Sequence, residues 1–197
     1  QSGNRAAGLP GGGDPAVAAY AVIAYVYFSL LLIMQGIGDG SQPLISRHYG
    51  MGELKNALTV RRYAFTTSLI TAAVLFAALF FTKGYIPVVF GAGEEAAAIA
   101  EHALPYFGIA VCLAAVNRIC TAYFYSVKSN ALAYTTVYGE VACLAVFAVL
   151  FPMAWGLDGL WIANPASQAV VAVLGTAFCI VSDRKQKRKF ADEKAEQ

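Results

Sequence analysis

The chain has 197 residues, of which 58% are hydrophobic and only 13% charged, with a mean hydropathy of +0.58. Soluble domains carry about 25% charged residues, so this surface has too few charges to face water. The 13% aromatic content excludes disorder, and four cysteines are too sparse for a disulfide scaffold. A polytopic membrane protein remains.

A bilayer core about 30 Å thick needs roughly 20 apolar residues in a helix. Spans are expected at about 15–49, with a kink at Pro43, and at 63–82, 103–127, 131–155 and 159–182. The third contains Arg118 and the fourth Glu140; the other runs are uncharged over spanning length. Such long runs mean helices, because barrel strands alternate over about ten residues. The expected fold class is an all-α, polytopic transmembrane bundle. Residues 1–14, polar and Gly-rich, read as the remnant of an outer loop, and 183–197 as a basic cytoplasmic tail.

Basic residues set the orientation. Arg47, Lys55, Arg61, Arg62, Lys128 and the cluster from Arg184 to Lys189 fall on one side. The other side holds only Arg5 and Lys83 beside several acids. The positive-inside rule then places the C-terminus in the cytoplasm and the N-terminus outside. Trp155 and Trp161 bracket a short Gly-Leu-Asp-Gly turn, where interfacial rings are expected. A chain beginning outside needs an earlier span or a signal peptide, so a missing N-terminal part is expected.

The run from Ala16 to Tyr20 leads through an apolar helix into Gly36-Ile-Gly-Asp-Gly-Ser-Gln-Pro-Leu-Ile-Ser-Arg-His-Tyr-Gly50-Met-Gly52, followed by a basic segment from Lys55 to Arg62. With Ala122-Tyr-Phe-Tyr125 and the closing Gly-Leu-x-Gly-Leu-Trp161, this pattern resembles the eighth to twelfth helices of the multidrug and toxic-compound extrusion (MATE) transporters. His48 and Met51 depart from the family's usual Asn and Ala. The resemblance implies five spans of a C-terminal six-helix lobe in the cell (inner) membrane. It implies a secondary active transporter exporting organic, often cationic, small molecules by antiport with H+ or Na+. The missing N-terminal lobe of the same protein would be its partner, along with the lipid bilayer. The alternative is a flippase of the same superfamily for a lipid-linked oligosaccharide precursor. Its pyrophosphate calls for a strongly cationic lumen, and one intramembrane Arg against two acids argues against that.

Ionisable groups inside hydrocarbon cost at least about 2.5–3.5 kcal/mol on insertion scales and need a partner or water. Asp39, Arg118 and Glu140 all fall roughly 15 Å from the cytoplasmic interface. They form a candidate polar or cation-coupling cluster. Arg118 can pair with one acid and leave the other to titrate or bind a cation. In the plainer reading, Arg118 and Glu140 are a structural pair and Asp39 reaches the interface. Asn117, Thr121 and Tyr125 share a helical face that lines a cavity or bonds between helices. Asn164 and Gln168 flank Pro165, which frees a carbonyl and is expected to face inward or toward a neighbouring helix. Pro43, below Gly36, Gly38 and Gly40, marks a hinge or a packing face built on Gly36-x-x-x-Gly40.

No Gly-rich phosphate loop, zinc-protease motif or nucleophile elbow occurs in the sequence. An enzyme is not expected, and neither is a cofactor or a metal centre. The basic run from Arg184 to Lys189 reads as an anchor at anionic lipid rather than a nucleic-acid site.

Overall fold

The computed structural model describes residues 14–195. The expected outer segment at 1–14 lies outside the described residues, except for Asp14, which opens the first helix. The chain forms α1 (Asp14–Gly50), α2 (Leu54–Thr82), a one-turn α3 (Ile86–Val89), α4 (Glu94–Ser126) and α5 (Asn130–Ala195). Among the described residues there is no strand. The helices α1, α2, α4 and α5 are long and apolar enough to cross a bilayer.

As one straight rod, the 66 residues of α5 would run about 100 Å. They do not. The backbone leaves helical geometry at Trp155 (φ −127°, ψ 15°) and at Gly156 (φ 58°, ψ −137°), a conformation that favours glycine. Beyond this break the chain folds back, so that Gln168 hydrogen-bonds Glu140 at 2.7 Å. A continuous helix would hold those two residues about 42 Å apart. A Cβ at Gly159 would collide with the Phe151 carbonyl, which is why the first turn of the returning arm carries a glycine there. The arms 130–154 and 157–195, with α1, α2 and α4, make five rods of membrane length.

The helices overrun the expected spans. The α2 helix starts at Leu54 rather than near 63, α4 at Glu94 rather than near 103, and α5 continues past 182. Hydropathy marks only the apolar part of a helix, whereas the hydrogen-bond ladder, once nucleated, extends into polar residues. The α1 helix runs unbroken through Pro43, which lies on its exposed face. Gly52, at φ +76°, makes the turn into α2.

The α4 helix is the centre of the bundle and touches α1, α2, α3 and α5. Its buried face is rich in alanine, including Ala100, Ala103, Ala110, Ala114 and Ala115. Without a hydrophobic drive between helices in lipid, such small residues let backbones approach and gain dispersion contacts. Glycines serve the same end. A Cβ at Gly108 would sit 2.7 Å from the Phe76 ring of α2, and one at Gly38 of α1 would sit 3.3 Å from the Arg118 carbonyl. Gly36 and Gly40 meet nothing within 4 Å, so the packing glycine of α1 is Gly38, between the two expected from the Gly-x-x-x-Gly pattern. Trp161 also differs from expectation: only 1% exposed, it packs with Tyr20 and Phe107 in the core, whereas Trp155 is 62% exposed.

Two apolar clusters divide the bundle. One gathers Ile23, Tyr27, Met34, Leu104, Phe107, Val111 and Trp161; the other gathers Ile45, Cys120, Tyr123, Phe124, Val127 and Cys179. The residues between them on α4, Asn117 and Arg118, open a polar layer.

Candidate functional site

Four helical segments meet in that layer. Arg118 Nη2 of α4 donates to Glu140 Oε1 on the first arm of α5 at 3.1 Å. Gln168 Nε2 on the second arm donates to the same oxygen at 2.7 Å, and its Oε1 accepts from Asn117 Nδ2 at 2.7 Å. Asn117 Nδ2 also donates to the Gln168 backbone carbonyl at 3.2 Å. Tyr27 of α1 closes the network: its hydroxyl accepts from Gln168 Nε2 at 3.5 Å and donates to Asn164 Oδ1 at 3.0 Å. The Arg118 and Glu140 side chains are 21% and 18% exposed. In low dielectric, an ion pair offsets the loss of water only when its remaining donors and acceptors are also met. Gln168 supplies that second donor to the carboxylate. Asn117 Oδ1, in contrast, is buried without a partner, at a desolvation cost of about 1–3 kcal/mol.

Asp39 is placed differently. It is exposed, and Gln35 Nε2, one turn earlier on α1, donates to its Oδ1 at 2.8 Å. A cavity of about 210 Å³ is lined by Gln35, Asp39, Gln42, Arg118, Thr121, Ala122, Tyr125 and Val137. The three charged groups singled out from the sequence thus fall in one region, but only Arg118 and Glu140 bond to each other. Asp39 shares the cavity wall with Arg118 and takes part in none of the ion pairs among the described residues.

The polar stripe of α4 divides between its two readings. Asn117 bonds across to α5, whereas Thr121 and Tyr125 line the cavity. Pro165 is buried, on the packed side of its helix, and Ser167 Oγ donates to the Asn164 carbonyl at 2.8 Å beside it. Pro43 is absent from the cavity wall.

Several members of the site escaped the sequence. Tyr27 sits in an aromatic-rich run that reads as bulk hydrophobe. Gln35 and Gln42 share the Asp39 face of α1 at i−4 and i+3, a spacing that would have found them. A second buried cluster was also missed. Arg61 of α2 grips Asp183 of α5 in a bidentate pair, Nη1 to Oδ1 and Nη2 to Oδ2, both at 2.7 Å. Tyr123 donates its hydroxyl to Asp183 Oδ1 at 2.7 Å, and the Arg61 guanidinium stands 4.2 Å from the Tyr123 ring centre.

This arrangement can hold one neutralised ion pair inside a helical bundle and present one unpaired carboxylate to a polar cavity. A family model described as MatE matches residues 6–151. The chain belongs to the MatE family. Three solved structures show the same fold as this MatE chain. A crystal structure of MATE in complex with MaL6 superposes with a TM-score of 0.83 at 17% identity, covering 90% of this chain and 41% of its own. An outward-facing conformation of a multidrug resistance MATE family transporter gives 0.84 at 16%, covering 90% and 40%. An inward-facing conformation gives 0.81 at 16%, covering 87% and 40%. The MatE chain therefore spans about 40% of the length of the transporters it matches. No curated protein sequence matches it significantly.

Proposed function

We propose that this MatE chain forms the eighth to twelfth helices of a secondary active transporter. In this reading it exports organic, often cationic, compounds across the cell membrane by antiport with protons or sodium ions. The N-terminal lobe completes the substrate path, and the C-terminus of the chain lies in the cytoplasm.

The observation that carries the proposal is the exposed Asp39. It lies roughly 16 Å along α1 from the helix end at Gly50. A carboxylate cannot rest against lipid tails at that depth without a cost of several kcal/mol. The face bearing Gln35, Asp39 and Gln42 must therefore meet water or protein, as the face of a substrate path does. Arg118 is already engaged by Glu140, so Asp39 is the carboxylate left to attract a cation or exchange a proton. Glu140, with Gln168 and Asn117, serves as the rigid wall behind it. Alternating access in such transporters moves one bundle against another about a site near the midplane.

Efflux by the complete protein, reconstituted in vesicles with an imposed H+ or Na+ gradient, tests this division of labour. Asp39→Asn is expected to abolish gradient-driven efflux while leaving the melting temperature unchanged. Gln168→Leu is expected to lower the melting temperature and leave coupling intact in the protein that remains folded. Coupled efflux at the wild-type rate in Asp39→Asn refutes the proposal.

A further inference from the structure

The second arm of α5 carries an exposed apolar stripe that ends abruptly in cations. Val173, Leu174, Ile180 and Val181 are 70%, 45%, 51% and 61% exposed. The turn of the helix carries the same face on to Arg184, Lys185 and Arg188. These three basic residues and Val181 line a concavity of about 330 Å³. The change from hydrocarbon-facing to cationic takes three residues, or about 4.5 Å of axial rise. Asp183, the acid within this run, is turned to the packed side, where Arg61 and Tyr123 hold it. Among the side chains described, which leave out those of 189 and 191–197, no ion pair includes Arg184, Lys185 or Arg188. Three cations on one helical turn repel each other unless an anion meets them.

We propose that this concavity is a binding site for one anionic phospholipid. Its phosphodiester sits among Arg184, Lys185 and Arg188, and an acyl chain lies along the stripe from Val181 to Val173. Charge complementarity fixes the headgroup, and the planar, multi-donor Arg side chains suit phosphate oxygens. Continuity of the concavity with the apolar stripe selects a lipid, since a soluble phosphate has no use for that stripe.

Lys187, in the same basic run, projects elsewhere and provides an internal control. With Lys55, Leu54, Leu58 and Phe190 it lines a separate groove of about 610 Å³, whose wall also holds Glu53. A general polybasic attraction to the membrane would treat both groups of cations alike; a defined site would not.

The test uses the complete protein, N-terminal lobe included, purified in detergent, with phosphatidylglycerol or phosphatidylcholine added and bound lipid counted by native mass spectrometry. Arg184→Gln/Arg188→Gln is expected to weaken phosphatidylglycerol binding roughly 30-fold, about fivefold for each basic group removed. Lys55→Gln/Lys187→Gln, which removes the same charge, is expected to bind as the wild type does. Arg184→Lys/Arg188→Lys keeps the charge but not the planar donors and is expected to bind between the wild type and the Gln double, which separates lost recognition from lost folding. Equal losses in the two Gln doubles overturn the proposal, as does equal retention of phosphatidylcholine. Displacement of the lipid by millimolar inorganic phosphate overturns it too, in favour of a soluble-ion site.

Discussion

Truncation of Asp183 is the sharpest probe of how the bundle is held together. The Arg61 and Asp183 side chains are only 15% and 21% exposed, and the carboxylate accepts three hydrogen bonds at 2.7 Å. Asp183→Ala leaves the Arg61 guanidinium and the Tyr123 hydroxyl without that partner. Breaking a buried pair from one side costs about 3–5 kcal/mol, and the residual exposure argues for the lower end, about 3 kcal/mol. In a domain of 150–250 residues each kcal/mol moves the melting point about 2–4 °C, so a fall of roughly 6–12 °C is expected. A thiol-reactive fluorogenic dye can read it, because Cys120 and Cys179 are buried beside this cluster and become accessible only as the helices separate. Removing both charges in Arg61→Leu/Asp183→Ala is expected to recover most of the loss, since a buried pair is worth little more than its apolar replacement. A double variant no more stable than Asp183→Ala, or a single-variant shift under about 2 °C, refutes the reasoning.

Two further outcomes follow from geometry already described. Gly38→Leu pushes α1 away from the Arg118 backbone and is expected to cost about 1–3 kcal/mol. Gly36→Ala, with open space around it, is expected to gain about 0.5–1 kcal/mol from helix propensity; the same dye assay separates them, and equal effects refute the α1–α4 contact. In the α1–α2 turn, Asn56 and then His48 hold the Glu53 carboxyl below its ordinary 4.5. Its stabilising contribution is therefore fully present above about that pH and is lost as pH falls through the lowered value. A carboxyl-carbon NMR titration is expected to show the Glu53 midpoint rising in Asn56→Ala; an unchanged midpoint refutes the assignment.

The parts of this molecule legible in the sequence are those governed by long stretches of chain. Uncharged runs of spanning length mark helices because lipid offers the backbone no other partner. Equal depth along neighbouring helices was enough to group Asp39, Arg118 and Glu140, but left open which acid pairs with Arg118; the fold brings Glu140 to it. Features governed by rotation about a helix axis were not legible. Gly38 rather than Gly36 packs on α4, and Trp161 rather than the exposed Trp155 is buried, because the facing of α1 and of the returning arm of α5 is set by their neighbours. Arg61 and Asp183 read as loop charges, since nothing local says that α2 begins at Leu54 or that α5 continues beyond Ser182. Gln168 was found only as a neighbour of Pro165; its place as the joint between Glu140, Asn117 and Tyr27 exists only once α5 has doubled back at Gly156.

The central place of α4 bears on how such a bundle could move. A rod clasped by Gly38 on one flank, Gly108 against Phe76 on another and Gly175 against Cys120 on a third is gripped on three sides, and what it leaves open is the cavity wall at Arg118, Thr121 and Tyr125. Interlocked at close range, these helices have to travel as a block, with flexing left to the turns at Gly52, Gly91, Lys128 and Gly156. Added bulk at any of these three glycines would wedge α4 away from a neighbour and so disturb the block as a whole.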